Sequence, residues 1–274
     1  MAENENETRA RLLAAYDEQL RTDAETPGAV ALARLGPLRL AVFAGGHGFI
    51  THSNPGADGG EELARLVPEA LDHYRDDPVI RDVEWKTRAH DRAPGLHEAL
   101  IENGFVPDDP ESIMVGEARL LAVDVPLPDG VAIRGVTEEA DIRAMSAMQD
   151  EVFAHIGDFI ASDEAADDLV QRVARGDSMQ LWAAIADGTI VSAGRLEPVA
   201  GSDFAGIWGG ATRAEWRGRG IYRAMTAARA RAALDLGKTL INSDSTEFSR
   251  PILERSGLLK VSTTTPYRWT RPKD

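Results

Sequence analysis

The chain of 274 residues contains no cysteine, which excludes disulfides, thiolate metal sites and a cysteine nucleophile together. It also lacks any apolar run near the roughly 20 residues that a membrane-spanning helix needs. Cations are in short supply: 30 Lys and Arg stand against 45 Asp and Glu, for a net charge of −15. Such a balance disfavours nonspecific binding to nucleic acid or to an anionic membrane, and it favours capture of cationic ligands. Met1 to Thr8 are polar and acidic, without the basic start and apolar stretch of a secretory signal, so a cytoplasmic location is expected. With 43% hydrophobic residues there is material for a core in each of two domains, the first expectation at this length.

Leu12, Leu13, Tyr16 and Leu20 recur at helical spacing and predict an amphipathic helix over 7–23, stopped by Pro27 and Gly28. Short apolar segments at 30–35, 38–43 and 48–53, broken by glycine and proline, read as an antiparallel meander. A helix around 63–71, a strand at 83–87, a helix at 96–102 and a strand at 113–115 complete the first half. Pro126, Pro128, Asp129 and Gly130 mark a boundary. Beyond it, a strand at 131–134 leads to a helix capped by Thr137, whose apolar face uses Ile142, Met145, Met148, Val152 and Phe153. A helix at 164–175 and strands at 180–185, 189–196 and 204–212 follow. The end reads as a strand at 240–243, a short helix closed by Gly257, and two strands at 258–262 and 267–269. Both halves thus end in strand, helix, glycine, strand, which points to a tandem duplication. His47 and His52, five apart without carboxylates beside them in sequence, read as surface or turn histidines, and no metal is expected.

The most informative stretch is 204–236, a strand followed by Arg217, Gly218, Arg219 and Gly220 and then a helix. From Arg213 to Lys238 seven cations and two acids give +5, leaving −20 for the rest. Gly218 and Gly220 permit positive φ and close approach, so several amides can converge on a diphosphate at the helix start, where the dipole favours anions. Arg217 and Arg219 add charge-assisted contacts. Ile221, Met225, Ala228, Ala232 and Leu236 supply the apolar face of the helix, with Arg223, Arg229 and Arg231 as its solvated face. Gly209 and Gly210 in mid-strand imply a bulge or a close ligand, because glycine otherwise weakens a ladder.

The run from Thr212 to Tyr222 resembles the acetyl-CoA-binding motif of the GNAT N-acetyltransferase superfamily: a Gln or Arg, two residues, Gly, one residue, then Gly or Ala. Arg217 and Gly220 match, and Tyr222 departs. The likeness spans about 131–270 and is strong over 206–257. It implies an α+β (mixed α/β) fold of two tandem GNAT-like domains, each a mixed, mainly antiparallel central sheet flanked by helices. Residues 1–122 would form a degenerate copy and 131–274 the acetyl-CoA-binding one. From Leu40 to Ala64 there is no Lys or Arg, whereas Asp58, Glu61 and Glu62 crowd a helix start and would repel a diphosphate, with Gly59 and Gly60 as simple turn residues.

Carried onto this chain, the resemblance implies that Gly210, Ala211 and Thr212 offer main chain to the pantetheine arm. Arg217, Gly218, Arg219, Gly220, Ile221 and Tyr222 would hold the pyrophosphate. Many family members place an acid tyrosine four residues before the closing glycine of the last helix, and Leu253 stands there. The acid role then passes to Tyr222 or Tyr267, with Tyr267 on the terminal strand preferred, passes to water, or is lost. Glu197 and Asp244, at strand ends, are the candidate bases. The expected reaction is direct transfer of acetyl from acetyl-CoA to a primary amine of a small molecule or peptide in a ternary complex, with no nucleic-acid or membrane partner. A non-catalytic acyl-CoA-binding regulatory module is the alternative.

Overall fold

The computed structural model describes residues 4–56, 59–154 and 163–272, so Asp58 lies outside the described residues. In chain order the elements are α1 (Glu5–Leu20), β1 (Ala31–Leu35), β2 (Leu38–Phe43), β3 (His47–His52), α2 (Gly60–Arg75), β4 (Asp82–Arg88), α3 (Leu96–Glu102), β5 (Val106–Pro107) and β6 (Glu111–Glu117). There follow α4 (Ala118–Leu121), β7 (Val131–Val136), α5 (Glu139–Phe153), α6 (Asp163–Ala174), β8 (Gln180–Ala186), β9 (Thr189–Pro198) and β10 (Phe204–Thr212). The last are α7 (Ile221–Asp235), β11 (Leu240–Ser245), α8 (Arg250–Arg255) and β12 (Leu259–Thr270). Among the described residues no helix is long and apolar enough to cross a membrane.

The chain divides into two compact units. One comprises Met1–Met114, Asp244–Arg250 and Lys260–Asp274, and the other Val115–Ser243 and Pro251–Leu259. Each unit therefore draws on both sides of the proline-rich segment at 123–130. In the first, β1, β2 and β3 form the antiparallel meander, β3 runs parallel to β4 across the α2 crossover, and β4 pairs antiparallel with β12. The two strands expected at the end of the chain are one, β12, with Pro266 inside it. Proline lacks a donor but keeps its carbonyl, and that of Pro266 accepts the Asp108 amide at 2.8 Å. In the second unit β7, β8, β9 and β10 are successively antiparallel, and β10 runs parallel to β11 across α7. Both units thus follow one plan, an antiparallel meander, a helix, and a strand parallel to the meander's last one. Helix α5 starts at an N-cap of Glu138, with no side-chain cap from the expected Thr137.

Burial follows the side-chain periods of these elements. Leu63, Val67, Leu71 and Tyr74 of α2 pack on Ile50, Val83 and Trp85, with Trp85 edge-on to Phe105 at 6.3 Å between ring centres. In the second unit Ile142, Met145, Met148 and Val152 of α5 pack on Leu181, Ala183, Ala193 and Ala211. The α1 helix begins with a reciprocal cap: Asn4 Oδ1 accepts the Glu7 amide at 2.9 Å and Glu7 Oε2 accepts the Asn4 amide at 3.0 Å.

At its other end α1 is fastened by charge. Buried Arg21 forks onto Asp91 at 2.8 and 2.9 Å and reaches Asp17 at 3.0 Å. His90 bridges Asp17 at 3.0 Å and Ser262 at 2.6 Å through its two ring nitrogens. Burial opposes ionisation of Asp17, but hydrogen bonds from His90 and Arg21 outweigh it and hold the carboxyl at about 2. A second buried group pairs Glu25 with Arg88 and Thr51, and Lys86 with Asp244 at 2.6 Å. Of the two histidines flagged in the sequence, His47 is exposed as expected and His52 is not. His47 contacts the Asp82 carboxylate at 2.9 Å, and His52 is fully buried, its imidazole pushed down by burial to about 4.

His52 makes acid stability testable. Its unfolded imidazole titrates near 6.5 and its folded one at about 4, so the unfolded chain binds more protons between these values. Its contribution is complete above the upper value and is lost as pH falls through the window. Glu111, pushed up to about 7 by burial, works with the opposite sign. We expect His52→Asn to flatten the decline of melting temperature on acidification, as read by thermal denaturation at a series of pH values. An unchanged slope would remove His52 from the account.

Candidate functional site

The second unit's site begins where a ladder stops. β10 and β11 pair only at Phe204 with Leu240, Ala205 with Ile241 and Gly206 with Asn242. On its other side β10 slips register against β9 between Trp208 and Ala211. This is the bulge that Gly209 and Gly210 imply. Gly209 has φ +60°, and a Cβ there would lie 2.9 Å from the Gln149 side-chain nitrogen. A Cβ on Gly210 would lie 2.8 Å from the Tyr222 ring. Gly209 is thus required by close approach as well as by conformation and Gly210 by close approach alone, with α5 supplying one neighbour and α7 the other.

Beyond the bulge the chain makes a short 3-10 turn at Ala214–Trp216 and enters the loop. Gly218 and Gly220 have φ of +73° and +81°, with no atom within 4 Å of a Gly218 Cβ and nothing nearer than the Pro126 carbonyl at 3.8 Å for Gly220. Gly220 is the N-cap of α7, and no side chain caps it. The amides of the first turn therefore have no intrahelical partner. Both loop arginines are braced against the loop itself. Arg217 Nε donates to the Thr212 carbonyl at 3.0 Å, and the Arg219 guanidinium lies 4.9 Å over the Trp216 ring. Beside the loop a cleft of about 380 Å³ opens between Thr189, Val191, Arg213 and Trp216. Ile221 is buried.

The helix is less simply amphipathic than its sequence suggests. Its buried positions are Ile221, Ala224, Met225, Thr226, Ala227, Arg229, Ala230 and Ala233, whereas Leu236 is 47% exposed. Arg223 and Arg231 are exposed, the latter donating to the Val123 carbonyl at 2.8 Å, but Arg229 is buried. Its guanidinium has only neutral acceptors: Met225 O at 3.2 Å, Arg195 O at 3.3 Å and Thr226 Oγ1 at 3.4 Å. Burial pulls its pKa down from the usual guanidinium range, with the Tyr222 phenol opposing. A periodicity argument assigns every arginine outward, and small residues on β9 override it. Gly194 makes the room, since a Cβ there would stand 2.6 Å from Arg229 Nη1.

The equivalent helix of the first unit, α2, is closed at its start. A Cβ on Gly60 would lie 1.8 Å from the Arg92 carbonyl, and Glu61 and Glu62 occupy the first turn. Gly60 is therefore a close-contact glycine, not the simple turn residue expected. Main chain fills the place that stays open before α7.

No family model matches the chain, and no curated protein matches it. Solved structures do. A GCN5-related N-acetyltransferase from Kribbella flavida has a TM-score of 0.66 at 17% identity, over 97% of this chain and 96% of that one. One from Sphaerobacter thermophilus scores 0.63 at 18% identity, over 97% and 92%. A tandem GNAT protein from the clavulanic acid biosynthesis pathway scores 0.59 at 18% identity, over 100% and 98%. The chain has the tandem GNAT fold. At these identities the likeness is one of fold, and the chemistry has to be argued from the residues.

Within this GNAT fold the candidate catalytic groups fall in different units. Tyr267 is in the core of the first unit, its hydroxyl 2.8 Å from His97 Nδ1 and its phenol raised by burial. Asp244 is in the first unit also, against Lys86. Glu197 shares the second unit with the loop, opposite Gly206 on β9, and accepts from Arg195 at 2.7 Å with Arg172 at 3.5 Å. Leu253 is fully buried. Of the main chain implicated in pantetheine binding, the Ala211 and Thr212 carbonyls already accept from Ser192 Oγ and Arg217 Nε. Gly210 sits in the register gap.

The Gly194 and Arg229 contact generates a coupling experiment. Gly194→Ala should destabilise by about 1–3 kcal/mol, the usual range for overpacking. In an Arg229→Met background, where the crowding atom is gone, the same change should cost much less, as measured by urea denaturation of all four proteins. Additive losses would show that the two residues do not share the space.

Proposed function

We propose that the second unit binds acetyl-CoA and that the protein is a cytoplasmic N-acetyltransferase acting on a primary amine of a small molecule or peptide. The observation that carries the reading is the uncapped start of α7 behind two positive-φ glycines, with open space at Gly218 and nothing nearer than 3.8 Å to a Gly220 Cβ. The amides of Gly218, Arg219, Gly220, Ile221 and Tyr222 would hold the diphosphate, and the Gly210 main chain would meet the pantetheine arm. These residues fit the group, because the glycines leave room and the arginines are already placed beside it. When bound, acetyl-CoA supplies a thioester carbonyl at which an amine forms a C–N bond as the C–S bond breaks. The chain must then take a proton from the amine and let the leaving sulfur gain one. Glu197, at the strand end where β10 parts from β11, is assigned the first task. With Leu253 buried where a tyrosine acid is expected, the second falls to solvent.

That same leucine favours a second reading, a unit that binds acyl-CoA without turning it over. The net charge of −15 supports a cationic acceptor in the first case. Two measurements decide between them. By calorimetry, Gly220→Val, strained at φ +81°, and Arg217→Glu should each weaken acetyl-CoA binding about tenfold or more, roughly 1.4 kcal/mol, with the fold retained. Unchanged affinity would remove the loop assignment. With a panel of amines, release of free CoA should fall about a hundredfold in Glu197→Gln while acetyl-CoA affinity holds. Tight binding with no CoA release by the unaltered protein would establish the non-catalytic reading instead.

A further inference from the structure

Gln149 does not stand out in the sequence, where it is one polar residue on the core-facing side of α5. The structure buries it to 8% exposure and aims it at the bulge. Its Nε2 donates to the Gly209 carbonyl at 2.5 Å, and no side chain but glycine at 209 leaves that amide its place. Around it, the carbonyls of the segment are taken up in order by side chains. Gly209 is held by Gln149, Ala211 by Ser192 Oγ at 2.7 Å, and Thr212 by Arg217 Nε at 3.0 Å. The Gly210 peptide lies in the gap of the register.

We propose that Gln149 is a positioning residue for the acyl donor: by fixing the Gly209 carbonyl on the α5 side, it sets the orientation of the Gly210 peptide that receives the pantetheine arm. This rests on the acyl-CoA reading of the second unit. An ordinary buried glutamine would stabilise the fold and affect every ligand alike. A positioning one affects only the part of the ligand that lies along β10. Gly209, at positive φ, can rotate its peptide once the amide is gone, whereas the loop at 217–220 is braced three residues further on, by Arg217 on the Thr212 carbonyl and by Arg219 on the Trp216 ring. The nucleotide end of the ligand should then be insensitive to position 149.

The experiment compares two probes by calorimetry, CoA and 3′-phospho-ADP, which is the same nucleotide without the pantetheine arm. Gln149→Leu should weaken CoA by about tenfold, the weight of one well-placed hydrogen bond array, and leave 3′-phospho-ADP unchanged. Gly209→Ala, which pushes a methyl into the same amide, should give the same split and serves if the leucine variant does not fold. Equal affinity for CoA in a folded variant, or equal weakening of both probes, would overturn the proposal. Failure of the unaltered protein to bind either probe would instead defeat the acyl-CoA reading, and the proposal with it.

Discussion

Three residue pairs hold β10 to β11, and the ladder ends at Gly206 and Asn242. A strand that leaves its parallel neighbour so early has main-chain groups to place, since buried peptide groups without partners cost as much as lost hydrogen bonds. The side chains of Gln149, Ser192 and Arg217 take up the carbonyls on either side of Gly210, and the meander on β9 takes up most of the remainder. What is left over is local and directional: one peptide in a register gap, and the amides at the start of the next helix. A site that is built mainly of backbone needs few identifiable side chains, and it can persist while the sequence around it changes almost completely.

The two units show how little distinguishes an open site from a closed one on the same plan. Each has an antiparallel meander, a helix and a parallel strand, and each has glycines where the helix begins. At α7 the glycines adopt positive φ, with open space at Gly218 and nothing nearer than 3.8 Å to a Gly220 Cβ. At α2 the Arg92 carbonyl stands within 1.8 Å of where a Gly60 Cβ would be, and two glutamates occupy the first turn. Glycine is required in both places, for opposite reasons. In one it gives the backbone a conformation that presents amides outward, and in the other it lets another segment cover them. Acids at the start of a helix are favourable to its dipole in the absence of an anion, so the first unit's helix satisfies electrostatically, from within, what the second leaves unmet.

Much of this was legible from local pattern. The meander strands, α3 and the phosphate-type loop followed from alternation, helical spacing and glycine placement, because each of those signals is set by neighbours in sequence. The bulge was legible too, since a regular ladder seldom tolerates two adjacent glycines in mid-strand. Pairing partners were not. The pattern near the end of the chain suggests two strands, at 258–262 and 267–269, and does not identify their neighbour, whereas Thr264 to Thr270 of the single β12 pair with Arg88 back to Asp82, nearly two hundred residues away. That displacement moves Tyr267 into a hydrophobic core beside Trp85 and His97, a setting its position in the sequence could not reveal. Gln149 was invisible for a related reason. Its partner is a backbone carbonyl made available by an irregularity in another element, and nothing in the helix itself marks the contact.

Arg229 shows where periodicity gives the wrong sign. Helical spacing places it with Arg223 and Arg231, yet it lies under β9 with three neutral oxygens around its guanidinium. Burying a charge without a counter-ion is costly, and the sequence could meet that cost only by shaping the opposite strand, with Gly194 leaving the space. The local excess of positive charge across the loop and helix therefore has two components. The exposed part includes Arg217 and Arg219, which rest on the Thr212 carbonyl and the Trp216 ring. The buried part raises the potential from beneath the helix, where salt screens it least. A dianion at the start of α7, as proposed for the acyl donor, would meet both against a background in which the rest of the chain is strongly acidic.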